Sequence, residues 1–148
     1  MPHFGVYLYT RFFMIRKSNL VPDSVRCFNG VKQLCRTNYT FDKDSGILLV
    51  TIKWYKTMQF GEREFIIPLV PITDSPLCPV QAYLNIISLV VSLESPAFSI
   101  VKGEEKQLVT YRQFQSVLKH MITLLGKHSD VYSTHSFRRG GATLGFFC

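Results

Sequence analysis

The chain has 148 residues, 47% of them hydrophobic and 18% charged, with a formal net charge of +7. That length and balance predict one globular domain with its own core and exclude a disordered polyelectrolyte. A pI near 9.4 favours an anionic partner. The charge is uneven: residues 1–63 hold ten Lys/Arg against four Asp/Glu, and residues 64–148 hold seven against six.

Residues from about 4 to 16 are aromatic and aliphatic with few breaks and predict a helix. Pro22 stops it at the latest, because proline disfavours a helical predecessor. Residues 23–36 give no clear signal. From about Tyr39 to Leu69 the pattern turns to strand. Ile47 to Trp54 is rich in β-branched residues after the turn signal Asp44-Ser45-Gly46, and Glu64 to Leu69 is its partner. Pro68 predicts an edge position or a strand end. Residues 55–63 between them read as a loop or long hairpin tip containing Gly61. A helix is expected from Pro76 to about Val91, with Pro79 in its first turn. Phe98-Ser99-Ile100 reads as a short strand and Lys102 to Lys106 as a polar turn. Thr110 caps the clearest helix. Its stripe of Tyr111, Phe114, Val117, Leu118, Met121, Ile122 and Leu125 faces a core, and Gly126 ends it. A last helix starts near Ser133 or Thr134. The fold expected is α+β, mainly helical, with a small antiparallel sheet of two or three strands.

Four cysteines, Cys27, Cys35, Cys78 and Cys148, show no Cys-x-x-Cys spacing, and no histidine pair completes a metal set. They read as idle or buried thiols. Met1-Pro2-His3-Phe4 lacks the basic start of a secretory signal. The most apolar run, Tyr83 to Leu93, is too short to span a bilayer. A nuclear or cytosolic setting is the default expectation, with no membrane.

The last helix carries the chemistry. In His135-Ser136-Phe137-Arg138-Arg139-Gly140-Gly141, an imidazole and a guanidinium stand three positions apart on one helical face, and Arg139 could join them. A proton donor beside a planar, always-charged fork suits a phosphate. With four histidines and eight arginines in the chain, that spacing is weak alone. Two upstream stretches add context. Phe12 to Pro22 reads as the end of an apolar helix carrying Arg16. Trp54 to Arg63 reads as a hairpin tip carrying Lys56.

An arginine, then a hairpin lysine, then His-x-x-Arg, in that order, resembles the catalytic domain of the tyrosine recombinases (phage-integrase-like), most closely the eukaryotic mobile-element branch. The resemblance runs from about Phe12 to Thr143. It implies a DNA breaking-rejoining catalytic core that acts through a 3′-phosphotyrosine, with double-stranded DNA as partner, other recombinase subunits as possible partners, and neither metal nor small-molecule cofactor. By motif position Arg16, Lys56, His135 and Arg138 are its catalytic residues. Two guanidiniums would clamp the non-bridging oxygens. Lys56, with Lys53 as nearest rival, would protonate the leaving 5′ oxygen, and His135 would help move the nucleophile's proton. Lys17, Lys53 and Arg139 are expected on the DNA backbone, and Lys32 and Arg36 either there or in solvent. Gly140 and Gly141 are expected where the helix packs closely on a neighbour.

The family pattern continues with a second His or Trp and then the nucleophilic Tyr. Here all seven tyrosines precede His135. The expectation is a single, incomplete catalytic domain over residues 1–148, without the N-terminal DNA-clamping domain or the Tyr segment, and unable to cleave DNA in cis. Two alternatives stand beside it: a non-enzymatic DNA-binding remnant of a mobile-element recombinase, and an interaction domain whose basic charge is incidental.

Overall fold

A computed structural model describes residues 16–53, 64–87, 95–102, 105–136, 139–140 and 143. The chain is α+β. In order it forms α1 (Lys17–Leu20), two 3-10 turns (Val25–Cys27 and Arg36–Asn38), β1 (Tyr39–Phe41), β2 (Leu48–Ile52), β3 (Phe65–Leu69), α2 (Pro79–Ile87), β4 (Ser99–Lys102), β5 (Glu105–Leu108) and α3 (Tyr111–Leu124).

The first sheet is antiparallel in the order β1-β2-β3. Its register pairs Tyr39 with Val50, Leu48 with Leu69 and Ile52 with Phe65. Leu48, Val50 and Ile52 alternate inward and are buried, as a half-buried strand requires. Pro68 lies on β3, an edge strand, where its missing N–H costs nothing. Gly46, at φ 70°, closes the β1–β2 turn in the left-handed region that suits glycine.

β4 and β5 form a second, two-stranded antiparallel sheet pairing Ser99 with Leu108 and Lys102 with Glu105. The polar stretch expected as a turn is therefore largely strand. Glu105-Lys106-Gln107-Leu108 holds no β-branched or aromatic residue, so propensity carried no sign of it.

The helices follow their caps. α2 begins at Pro79 rather than Pro76, with proline at the first helical position; residues 88–91 of the expected helix lie outside the described residues. α3 opens on a capping box: the Thr110 hydroxyl accepts from the Gln113 N–H and the Gln113 side chain accepts from the Thr110 N–H. It closes in a Schellman motif, with Lys127 N–H on the Ile122 carbonyl and Gly126 N–H on that of Thr123. Phe114, Leu118 and Ile122 are buried, and Tyr111, Val117 and Met121 pack partly against the same core. Leu125 was expected there but is 75% exposed, because it is the cap residue and its backbone has left the helix.

One core joins α1, the first sheet, α2, the Ala97–Phe98 stretch that leads into β4, and α3, with Phe98 and Phe114 fully buried in it. Tyr39 of β1 stacks on Tyr83 of α2 at 4.1 Å between ring centroids. Arg36, expected in solvent or on DNA, is buried instead, and its Nη2 donates to the Ile86 carbonyl at 3.1 Å. It ties the segment before β1 to the end of α2. Burial pushes the Tyr83 phenol well above the ordinary tyrosine value, against the opposing charge of Arg36. The folded state therefore keeps Tyr83 neutral while the unfolded chain ionises it near pH 10. Its stabilising contribution is complete below about pH 10 and is lost as pH rises above that. The melting temperature should fall between roughly pH 9.5 and 11, and Tyr83→Phe should flatten that fall. An equal fall in the Phe variant would assign it to other groups.

Among the described residues no helix is long and apolar enough to cross a membrane.

Candidate phosphate-binding site

A four-residue helix cannot hold itself in water, since so short a segment scarcely repays nucleation. α1, which carries Arg16 and Lys17 at its start, is held from outside. The Gln33 side chain donates to the Ser18 carbonyl at 2.8 Å, the Leu34 N–H to the Asn19 carbonyl at 2.9 Å, and the Asn19 side chain to the Lys32 carbonyl at 3.3 Å. Leu34 continues the chain of support, its carbonyl accepting from the Ala97 N–H at 2.9 Å. Asn19, Leu20 and Gln33 are buried, so this anchoring belongs to the core.

Arg16 is exposed and extended (φ −69°, ψ 143°). It directly precedes α1, and its carbonyl accepts the Asn19 N–H at 2.9 Å. The helix expected over residues 4–15 lies outside the described residues.

Lys17 is half-buried and lies over the ring of Tyr111, with Nζ 3.1 Å from the centroid. Such a cation–π contact is worth about 0.5–1 kcal/mol where water still reaches it. Tyr111 begins α3, and its N–H donates to the Pro22 carbonyl at 2.8 Å. Thr134, buried, stands near the Tyr111 phenol. Burial raises the pKa of that phenol, but the nearby Thr134 and Lys17 side chains and the lysine charge outweigh it, so the value lies below that of an ordinary tyrosine; Asp23 opposes the lowering.

Thr134, His135 and Ser136 are helical, as are Arg139, Gly140 and Thr143. The segment starts where expected. Ser133 precedes it and donates its N–H to the Ser136 hydroxyl at 3.1 Å, while the Ser136 N–H reaches the Ser133 carbonyl at 2.9 Å. His135 and Arg139 are exposed, and the Arg139 carbonyl accepts the Thr143 hydroxyl at 2.9 Å. Gly140 was expected to allow close packing, but a methyl placed on it meets nothing within 4 Å among the described residues. Gly141 lies outside the described residues.

Lys53 follows β2 and pairs with Glu64 at 3.9 Å, both side chains more than half exposed. A surface pair of this kind contributes at most about 1 kcal/mol and yields readily to a phosphate. Lys53 also lines a small cleft with Asn19, Lys32 and Gln33, which brings the open end of β2 against the α1 anchor. Lys56 and Arg138 lie outside the described residues.

Two stretches remote in sequence thus come near Tyr111: the segment of Arg16 and Lys17, whose lysine covers the ring, and Thr134 at the start of the last helical segment. Lys53 reaches the first from another side. Sequence reasoning had assigned Tyr111 to the core stripe and Thr134 to a helix start. The signal present in the sequence was a tyrosine at the first position of an amphipathic helix, since a partly buried phenol needs a polar partner. Among the described residues no group of three or more His, Cys, Asp or Glu comes together to hold a metal. Cys27 is exposed, Cys35 and Cys78 are buried, and all three are free thiols.

Compared with protein families, curated proteins and solved structures, the chain matches none.

Proposed function

We propose that the chain binds double-stranded DNA through a basic site around Arg16, Lys17, Lys53, His135 and Arg139, as the catalytic-core region of a tyrosine recombinase. The reading is supported most by Lys17, next to Arg16, lying over the ring of Tyr111, whose phenol has Thr134, next to His135, nearby. In the proposed site Arg16 and Arg138 hold the non-bridging oxygens of a phosphodiester as two planar forks. His135 donates to the same phosphate, and Lys56 waits on the leaving oxygen. Lys17, Lys53 and Arg139 neutralise flanking phosphates, which aligns the duplex without reading its sequence. The fold that goes with this reading is a DNA breaking-rejoining catalytic core.

None of the seven tyrosines follows His135. In the reaction this reading implies, a tyrosine attacks phosphorus, forming the 3′-phosphotyrosine and freeing the 5′ hydroxyl, and none of the seven stands at that motif position. A chain retained for binding alone accords with the same tyrosine count.

Titrating a labelled duplex with the chain at several salt concentrations tests the proposal. Log K should fall linearly with log salt, with a slope of about −0.9 per phosphate neutralised. A flat response, or no binding, would leave an interaction domain with incidental charge. The clamp has its own test in a chain supplied with a nucleophilic tyrosine. There Arg138→Lys keeps the charge but loses the fork, and strand cleavage should drop about tenfold or more, equivalent to at least about 1.4 kcal/mol of transition-state stabilisation. Unchanged cleavage would remove Arg138 from the clamp.

A further inference from the structure

A narrow cleft opens where the end of β2 meets the stretch that anchors α1. Lys32 and Lys53, remote in sequence and both exposed, line it together with the buried amide side chains of Asn19, Gln33 and Asn38. Among the described residues no carboxylate lines it. Its volume is about 10 Å³, room for one water-sized group and far too little for a base or a sugar.

Two of the amides hold the fold. Asn19 Nδ2 donates to the Lys32 carbonyl, and Gln33 uses both ends, donating to the Ser18 carbonyl and accepting the Asn29 N–H. Asn38 differs. It directly precedes β1, whose Tyr39 pairs with Val50, so it lies alongside the end of β2. It is 6% exposed, and its Oδ1 accepts the Cys35 N–H at 2.7 Å. Its Nδ2 has no hydrogen-bond partner among the described residues. A donor in so buried a residue is ordinarily met by an acceptor, because leaving it unmet costs stability. Here the acceptor has to come through the cleft, and two lysines favour one that is anionic.

We propose that this cleft seats one non-bridging oxygen of a DNA backbone phosphate: Asn38 Nδ2 donates to it while Lys32 and Lys53 share its charge. The inference rests on the DNA-binding reading above and adds Lys32 and Asn38 to it. Lysine is a point charge on a flexible stem, so two of them can serve one phosphate without a fixed geometry. The exposed Lys53–Glu64 pair gives way at little cost. Such a seat carries no base information and fixes the register of the duplex beside α1.

The test titrates a labelled duplex with the 148-residue chain by fluorescence anisotropy at several salt concentrations. Lys32→Gln keeps the backbone carbonyl that holds Asn19. Lys32→Gln and Lys53→Gln should each weaken binding about threefold at nearly the parent salt slope, because the other lysine still neutralises the shared phosphate. The double variant should lose about thirtyfold, and its slope should shrink by about 0.9, the contribution of one phosphate. Asn38→Asp keeps the acceptor for the Cys35 N–H but replaces the donor by a carboxylate oxygen, and should weaken binding about tenfold. Lys43→Gln, an equal charge change in the β1–β2 turn, should stay within about twofold of the parent. Should Asn38→Asp fold poorly, the two lysine variants carry the comparison. A Lys32→Gln chain or a folded Asn38→Asp chain that binds like the parent would overturn the seat and leave the DNA-binding reading intact. So would a double variant whose slope shrinks by about 1.8, as two separate phosphates require. A parent chain with no duplex binding overturns both.

Discussion

Reversing two charges, Arg16→Glu together with Lys53→Glu, is expected to lower duplex affinity by about a hundredfold at low salt, taking roughly tenfold for each reversal. Each change removes a cation from the phosphate track and puts a like charge in its place. Both side chains are exposed and neither holds up the core, so the fold should survive. Lys53 now pairs with Glu64 at 3.9 Å, and losing so exposed a pair costs little stability. The decisive control is Lys43→Glu. Lys43 lies in the β1–β2 turn, at the end of β2 away from Lys53. It changes net charge by the same amount as either single reversal but stands off the proposed surface. Its effect should stay within about threefold, and the salt slope should remain that of the parent. In the double variant the slope should shrink by about 0.9 for each phosphate left without its cation. If Lys43→Glu weakens binding as much as a site reversal, DNA responds to overall charge and not to a defined surface.

Replacing Phe114 by alanine should have the largest effect on stability, about 3–5 kcal/mol. The ring is fully buried on α3 in the core that includes Leu118 and Ile122. Truncation forfeits its transfer free energy and leaves a cavity that a close-packed interior fills only in part. Against a total of about 5–15 kcal/mol for a domain, this is a large share. Urea denaturation should show a lower midpoint at nearly unchanged slope. Leu124→Ala, on the same helix but 73% exposed, should cost only a few tenths of a kcal/mol beyond propensity. A loss below about 1 kcal/mol at Phe114 would mean that α3 is not seated as described. The consequence reaches the site, because Phe114 lies one turn beyond Tyr111. A loosened α3 would weaken DNA binding even at temperatures where the variant stays folded.

Local rules made much of the fold legible. The Thr110 cap, the Phe114–Leu118–Ile122 stripe and the Gly126 stop are each properties of a few neighbouring residues. So is the alternation of Leu48, Val50 and Ile52. Where the reading failed, a longer-range partner decided. Glu105 to Leu108 becomes a strand because β4 lies beside it, against its own weak propensity. Arg36 is buried because the end of α2 offers the Ile86 carbonyl and the stacked Tyr39–Tyr83 pair closes over that region. Leu125 is exposed because the Schellman turn carries it off the helical face. Arg16 stands in extended backbone at the head of α1, a helix that residues 32–34 and Tyr111 hold in place.

For the site, composition and spacing alone determined the types of group on offer: guanidinium, ammonium and imidazole in a basic chain, with the spacing His135 to Arg139 set by one stretch of helix. These follow from side-chain chemistry and from the period of a helix, which need no knowledge of the rest of the molecule. Only the tertiary structure decided which distant groups become neighbours. The placement of the Arg16 segment is a matter of packing, set by a shared core, by the backbone anchors on α1 and by the Tyr111 ring beneath Lys17.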